Sequence, residues 1–161
     1  FSILETGFLA SLPWLCGAVM ASVGGFTCDK LCDRLGPRLG CRIPAITGLI
    51  AAGGFLYIGL YADSPYTAVA LLSLCFASTQ FTEGAYWSAQ TYVAGPYTAP
   101  ASGVMNTGGN LAGIVVAPLM PYLAEHIGWG ASLSTGSIMA FVGAALWLFI
   151  RADRPFIPQK G

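Results

Sequence analysis

Charged residues are scarce in this sequence, and their scarcity excludes most soluble folds. Only 9% of the 161 residues are charged, 55% are hydrophobic, and the mean hydropathy is +0.68, whereas soluble domains carry about 25% charged residues. The formal net charge is zero, so no basic surface for nucleic acid is indicated. The composition therefore predicts a membrane protein with no nucleic-acid partner.

The residue types that enzymes and metal centres use are also few. The chain has one histidine, no CxxC pair, no phosphate-binding loop and no nucleophile paired with a basic partner. Five cysteines, an odd number, lie in or beside apolar segments; they are Cys16, Cys28, Cys32, Cys41 and Cys75. We interpret them as small packing residues. We expect neither a disulfide framework nor a metal site, no cofactor and no enzymatic activity.

Long apolar segments alternate with short polar connections. They cover residues 7–28, 43–62, 66–94, 103–123 and 129–150, and each can cross a hydrocarbon core of about 30 Å at about 1.5 Å per residue. Residues 63–65 and 128–130 are predicted turns. The sequence therefore predicts an all-α, polytopic membrane bundle of five transmembrane helices. Because it begins at Phe1 with neither an initiator methionine nor a leader, we expect further spans upstream.

The basic residues occur in only two places. Lys30, Arg34, Arg38 and Arg42 separate the first two spans, and Arg151, Arg154 and Lys160 follow the fifth. In a five-span chain both segments share one side of the membrane, and the positive-inside rule makes that side cytoplasmic. We therefore expect an integral protein of the plasma (inner) membrane, with its C terminus in the cytoplasm and Phe1 outside.

Polar side chains interrupt the third and fourth spans. One helical face of the third span carries Glu83, Tyr86, Trp87 and Gln90, and the fourth carries Asn106 and Asn110 one turn apart. Polar groups in hydrocarbon cost several kcal/mol unless they are satisfied, so we expect this stretch to face a solute pathway. Trp87 and Asn106 lie about 10 Å and 8 Å to the cytoplasmic side of their span centres, so their depths match. An indole and an amide at one depth predict a substrate platform.

Two residues of this stretch have open alternatives. Three roles are open for Glu83: a packing carboxyl that bonds to a neighbouring helix, a site that takes up a proton, or a partner for a basic residue elsewhere in the protein. The second role is considered because hydrocarbon favours the neutral acid. Asn110 is either a second substrate ligand or an interhelix hydrogen-bonding group. Gly109 and Gly113 form a GxxxG pattern that permits the close approach of another helix.

The segment after the first span carries an ordered set of glycine and charged residues. They are Gly25, Asp29, Lys30, Arg34 and Arg38, and in composition they fit either a latch between helix ends or simple positive-inside anchoring. Their order resembles the gating loop of the major facilitator superfamily, as repeated between the eighth and ninth helices. Its spacing is longer than the tightest form of that motif, because residues 32–35 are inserted.

The resemblance extends over the whole chain. Leu12-Pro13-Trp14, Tyr86-Trp87 and the glycine- and asparagine-rich segment 103–110, with Gly113 and Pro118, resemble the anion:cation symporters, which include hexuronate, sugar-acid and sialin-type carriers. The resemblance implies helices eight to twelve of a twelve-helix carrier, the C-terminal six-helix half without its first helix. The N-terminal half would then be a missing partner, and it would have to supply the cationic ligand.

The resemblance also implies a function. It predicts secondary active transport of a small organic anion such as a sugar acid, coupled to a proton or another cation, by alternating access within the lipid bilayer. Trp87 and Asn106 would align with substrate-contacting positions, joined by Tyr86, Gln90 and Asn110. The alternatives are an exporter of drugs or other metabolites from the same superfamily and a membrane interaction protein that transports nothing.

Overall fold

Helices form every regular element in residues 3–156, the part of the chain that the computed structural model describes. Helix α1 spans Ile3–Ile58, α2 spans Pro65–Ala94, α3 spans Thr98–His126 and α4 spans Trp129–Leu146. Short 3-10 turns at Gly59–Tyr61 and Gly95–Tyr97 follow α1 and α2. The prediction of an all-α protein is confirmed. Phe1 and Lys160, which the predicted orientation uses, lie outside the described residues.

Three helical stretches are long and apolar enough to cross a membrane. They are Gly7–Tyr61, Pro65–His126 and Trp129–Leu146, so the membrane character of the chain agrees with its helices by length and composition. The first two, at 55 and 62 residues, exceed the about 20 residues that one crossing needs. Each contains one break. Gly36 interrupts α1 with φ 81° and ψ 165°, and Gly95, with φ 52°, separates α2 from α3.

The break at Gly36 folds α1 back on itself. Thirteen residues of continuous helix span about 20 Å, yet the sulfur atoms of Cys28 and Cys41 are 4.0 Å apart. Gly24 and Gly48, twelve residues to either side of Gly36, pack against the adjacent α2 residues Phe81 and Thr82. Residues 3–35 and 37–58 are therefore two arms of a helical hairpin that lies against α2. The left-handed backbone at residue 36 favours glycine because it lacks a Cβ atom.

Glycines also bring α1 and α2 into backbone contact. A Cβ atom on Gly24 would collide with the main chain of Phe81, and one on Gly84 would lie 2.6 Å from the Cα of Gly25. Ordinary side chains at Gly24 and Gly84 would separate the two helices. Glycine at these two positions permits the close approach of the helices, and the crossing fixes where the polar face of α2 lies.

The C-terminal end of α4 differs from the prediction. The predicted span runs to residue 150, but α4 ends at Leu146 and a turn follows. The guanidinium of Arg42 donates hydrogen bonds of 2.8 Å to the carbonyl groups of Leu148 and Ile150. These carbonyls have no partner within a helix that has ended, and Arg42 satisfies them from the second arm of α1.

Two contacts gather the basic segments at one end of the bundle. Arg42 reaches the chain after α4, and the N–H of Phe156 donates a 2.8 Å hydrogen bond to the carbonyl of Val93 at the end of α2. The hairpin turn of α1, the end of α2 and the chain after α4 therefore share one end. Within residues 3–156 all six basic residues lie there, and we call it the basic end.

Candidate functional site

An open pocket of about 350 Å³ lies between α2 and α3. Its lining residues are Glu83, Tyr86, Trp87, Met105, Asn106 and Gly109. Trp87 and Asn106, which were paired by depth in the sequence, thus line one pocket from two different helices. The turn at Gly95–Tyr97 reverses the chain, so residues at equal distances from the helix ends meet.

Trp87 and Glu83 form a hydrogen-bonded pair at this pocket. The indole N–H of Trp87 donates a 2.9 Å bond to a carboxylate oxygen of Glu83, one turn earlier on α2. Both residues are exposed in the structure, and Trp87 retains 43% of its accessible surface. The hydrogen-bond partner of Glu83 within the described residues therefore lies on the same helix. This bond links the indole ring of Trp87 directly to the carboxyl group of Glu83.

Tyr86 anchors the pocket to the core. Its ring packs edge to face on Trp147, with centroids 5.1 Å apart and an interplanar angle of 81°. Trp147 is buried, while Tyr86 is half-buried and packs against the same core cluster. Edge-to-face aromatic pairs contribute about 0.5–1.5 kcal/mol beyond their area burial. This contact positions the pocket face of α2 relative to the end of α4.

The side chain of Gln90 connects α2 to α3 and does not line the pocket. Its amide N–H group donates to the carbonyl of Thr98 at 2.8 Å and to the hydroxyl of Ser102 at 2.9 Å, and that hydroxyl lies 3.1 Å from its amide oxygen. The amide therefore joins α2 to the first turns of α3 and lies outside the pocket lining. A substrate-binding role for Gln90 stays a prediction. Sequence reasoning missed Ser102, which has no motif of its own.

Asn110 also lies outside the pocket lining. Its side-chain amide donates a 2.9 Å hydrogen bond to the main-chain carbonyl of Asn106 within α3. A Cβ atom on Gly109 or Gly113 would have no neighbour within 4 Å, so no helix among residues 3–156 packs against that GxxxG pattern. The face of α3 over residues 103–119 is exposed except at Met105. Neither alternative for Asn110 is decided by these contacts.

The pocket carries one charged group, the carboxyl of Glu83. None of the six basic residues of the described chain lines this pocket. An anionic ligand bound between α2 and α3 would therefore need a cation from outside residues 3–156, because a buried anion without a partner is strongly unfavourable.

The gating-loop candidates lie in the turn of the α1 hairpin. Asp29, Lys30 and Arg34 are exposed, and the ammonium of Lys30 lies 4.3 Å from the ring centroid of Phe26. Arg38 is half-buried, and its Nε atom is buried without a hydrogen-bond partner. The backbone of Gly25 lies at the α1–α2 crossing. Their roles in gating stay predictions.

The same turn brings three thiols together. The sulfur atoms of Cys28, Cys32 and Cys41 lie within 4.8 Å of one another, and all three residues are buried free cysteines. Burial agrees with the interpretation as packing residues. Cys28 and Cys32 are four residues apart in the sequence, so they lie on one face of a helix. The sequence did not place Cys41 beside them, because that requires the chain reversal at Gly36.

Comparison with known proteins identifies the family. The chain matches the Major Facilitator Superfamily over residues 1–160, and it therefore belongs to that family, whose members are transporters and not enzymes. The resemblance seen in the gating loop and in the glycine- and asparagine-rich segment is confirmed at this level.

Several curated relatives are named as anion transporters. The chain is 33% identical over 146 residues to the probable galactarate/D-glucarate transporter of Bacillus subtilis, covering 89% of this chain and 30% of the relative. It is 32% identical over 153 residues to the probable sulfoacetate transporter of Cupriavidus necator, covering 93% and 35%. It is 26% identical over 148 residues to the chloroplastic sodium-dependent phosphate transport protein 1 of Arabidopsis thaliana, covering 91% and 29%. The chain thus spans about a third of the length of these relatives.

Proposed function

We propose that this chain supplies five membrane-spanning helices of a secondary carrier for small organic anions. The two arms of the α1 hairpin, α2, α3 and α4 would be the five spans, equivalent to helices eight to twelve of the superfamily fold. The breaks at Gly36 and Gly95–Tyr97 support this division because they split the two overlong stretches into segments of single-crossing length. Transport would proceed by alternating access.

The pairing of Trp87 and Asn106 in one pocket is the observation that carries the proposal. The indole ring offers an apolar face for the carbon skeleton of a sugar acid, and the amide of Asn106 offers donors and an acceptor for its hydroxyl groups. The names of the relatives include galactarate, D-glucarate, sulfoacetate and phosphate, which share an anionic group. A carboxylate-bearing substrate, such as a sugar acid, fits both lines of support.

The positive charge that such a substrate needs would come from the rest of the carrier. The relatives are about three times as long as the matched segment, and the exposed face of α3 beside the pocket leaves room for further helices. In this arrangement the described chain provides the aromatic and amide half of the site. The other half provides the cationic ligand and packs against α3.

We further propose that Glu83 couples transport to a proton. The indole N–H of Trp87 donates a hydrogen bond to Glu83, and both side chains line the same pocket, so a substrate bound against the indole would change the contacts of this carboxyl group. Binding and protonation would then be linked through a single side chain, which is the requirement for symport.

The basic end would face the cytoplasm of a plasma (inner) membrane. The positive-inside rule supports this orientation, because the described basic residues collect at that end. The residues of the gating loop would then lie at the cytoplasmic surface. A reporter fused after the C terminus tests the orientation, since activity on the outer side of the membrane would reverse it.

The experiment that tests the function is uptake by the intact carrier in proteoliposomes, with labelled galactarate and galactonate as probes. Trp87→Ala and Asn106→Ala should each lower uptake at least about tenfold, which corresponds to about 1.4 kcal/mol of lost binding. Thr107→Ala, the exposed neighbour of Asn106, and Trp129→Ala, an exposed tryptophan outside this pocket, are the matched controls and should transport normally. Normal affinity and flux in the first two variants would refute the site.

The same proteoliposomes separate the alternatives. Uptake of lipophilic cations in place of sugar acids would indicate an exporter, and the absence of any solute-dependent flux or stabilisation would indicate an interaction protein. For Glu83, the Glu83→Gln variant should lose pH-dependent accumulation but keep substrate counterflow. Unchanged pH-dependent accumulation would return Glu83 to a packing role.

A further inference from the structure

The turn of the α1 hairpin holds three cysteine sulfurs at the corners of a nearly equilateral triangle. The edges measure 3.9 Å between Cys28 and Cys32, 4.0 Å between Cys28 and Cys41 and 3.7 Å between Cys32 and Cys41. Cys28 and Cys32 lie on successive turns of the first arm, and Cys41 lies on the second arm beyond Gly36. The triangle therefore joins the two arms of the hairpin.

The dimensions of the triangle match those of a metal–thiolate site. Its centre lies about 2.2 Å from each sulfur atom, close to the bond of about 2.3 Å that zinc makes to a cysteine sulfur. An ion at that point would be bound by all three sulfurs with almost no movement of the chain.

The donor set narrows the choice of ion. In residues 3–156 the ligand cluster consists of these three sulfurs, with no histidine or carboxylate among them. Calcium and magnesium require oxygen ligands, and zinc in structural sites takes four ligands in a tetrahedron. Soft thiolates suit Cu(I), zinc and iron–sulfur clusters. Of these, a single Cu(I) ion is the one that three sulfurs in a plane can satisfy without a fourth ligand.

The surroundings of the triangle fit a bound soft ion. Ala45, Ala85, Ala89, Trp147 and Ala152 pack around the sulfurs and exclude water. The side chains of Ser88 and Tyr92, on α2, lie beside Cys28 and Cys32, where a hydroxyl group can donate to a thiolate. Supporting hydrogen bonds of this kind orient metal ligands and tune them.

The geometry of the hairpin also holds the site in advance. A Cβ atom on Gly40 would collide with the main chain of Cys32, so the two arms are in backbone contact beside the cluster. Three thiolates and one Cu(I) carry two net negative charges, and residues 29–42 of the same turn carry four basic residues against two acidic ones, Asp29 and Asp33, which leaves a formal charge of +2. Two of the basic residues, Arg38 and Arg42, have a buried Nε atom without a partner.

We propose that Cys28, Cys32 and Cys41 form a three-coordinate thiolate site for a single soft cation, Cu(I), at the turn of the α1 hairpin. The bound ion ties the two arms of α1 together at the basic end. Each thiol that binds exchanges its S–H bond for a Cu–S bond and releases its proton to solvent, so three bound thiols release three protons, and no electron is transferred because copper enters as Cu(I). The site stands independently of the transport proposal.

The test is copper binding by the intact protein, purified in detergent under anaerobic conditions, with Cu(I) supplied from a bathocuproine disulfonate buffer. One Cu(I) per chain should bind, and X-ray absorption should show three sulfur neighbours at about 2.2–2.3 Å. Replacement of any one of the three cysteines, by Cys28→Ser, Cys32→Ser or Cys41→Ser, should weaken copper binding by more than about tenfold. Loss of a residue that only supports a metal ligand already costs about tenfold, so loss of a ligand should cost more. Cys16→Ser and Cys75→Ser, which lie outside the cluster, are the matched controls and should bind as the parent does.

Several results would overturn the site. They are no copper retained above the detergent blank, full retention after the triple Cys28/Cys32/Cys41 replacement, or two sulfur neighbours in place of three. Preferred binding of Zn(II) over Cu(I), or a Cys32–Cys41 disulfide that forms in place of copper binding, would also refute it. The coordination number is measured on the parent protein, so it decides the proposal even if a cysteine variant fails to fold.

Discussion

Adjacent glycines at the α1–α2 crossing should respond in opposite ways to the same substitution. A Cβ atom on Gly24 would meet the main chain of Phe81, with 2.7 Å to its carbonyl carbon and 2.8 Å to its Cα. A Cβ atom on Gly25 would meet nothing within 4 Å. Gly24→Ala should therefore push α1 and α2 apart, whereas Gly25→Ala should be accommodated in place.

The magnitude follows from two opposing terms. Alanine in place of glycine in a helix interior stabilises by about 1 kcal/mol, and both variants receive this gain. Overpacking a close contact costs about 1–3 kcal/mol, and only Gly24→Ala incurs it. The melting temperature of Gly24→Ala should thus lie below that of Gly25→Ala by about 2–12 °C, at roughly 2–4 °C per kcal/mol for a chain of this size.

The assay uses the protein's own thiols. A thiol-reactive fluorophore reports unfolding as the buried side chains of Cys28, Cys32 and Cys41 become accessible during a temperature ramp in detergent. Each substitution leaves all five cysteines in place, so the signal is comparable between variants. Melting temperatures within about 1 °C of each other, or a more stable Gly24→Ala, would show that the two helices do not cross at Gly24.

Three further changes test other contacts of the described chain. Arg42→Ala should lower the free energy of unfolding by about 1.5–3 kcal/mol, because it removes a charged donor from two carbonyls beyond α4. Arg34→Ala, at an exposed position, should not lower it in the same thermal assay. Equal effects of the two variants would show that the bonds from Arg42 to these carbonyls do not stabilise the protein. Gln90→Leu should speed amide hydrogen exchange in the first turns of α3, since the bonds to Thr98 and Ser102 are lost, and unchanged exchange would argue against that link. Trp87→Phe keeps the ring but removes the donor to Glu83, so substrate affinity should fall less than in Trp87→Ala; equal losses in the two variants would show that the ring makes no contribution of its own.

Local chemistry made part of this fold predictable. The predicted turn before α2 is confirmed, because the hydroxyl of Ser64 accepts the N–H of Thr67 at 3.2 Å and Pro65 occupies the first turn of the helix. Of the turn predicted over residues 128–130, only Gly128, whose φ is 119°, lies outside the helix, because α4 already begins at Trp129. Such signals lie within a few residues of the structure they produce, so a single sequence contains them.

Contacts between distant segments were less accessible to prediction. The matched depths of Trp87 and Asn106 placed them together correctly because α2 and α3 are joined by a short turn and run in opposite directions. Gln90 shares the polar face of Trp87, yet its amide bonds to Ser102 and not to the pocket. A helical face predicts direction, but it does not say which neighbour satisfies each group.

The thiol cluster and the hydrogen bonds from Arg42 have a common cause that hydrophobic periodicity in the sequence does not predict. Both depend on the reversal at Gly36, which places Cys41 beside Cys28 and Cys32 and aims Arg42 at the chain after α4. The sequence pattern predicted two spans with a polar connection between them. It did not predict that helix would continue almost to the turning residue on both sides.

The hairpin of α1 therefore has no loop between its two arms. One residue, Gly36, makes the whole reversal, so the two arms have no flexible connection in which a change of register can be absorbed. Inserting or deleting a single residue there would rotate the second arm by about 100° relative to the first. Cys41 would leave the other two thiols and Arg42 would leave the carbonyls after α4 in the same step. Both contacts across the hairpin therefore depend on the same backbone geometry at Gly36.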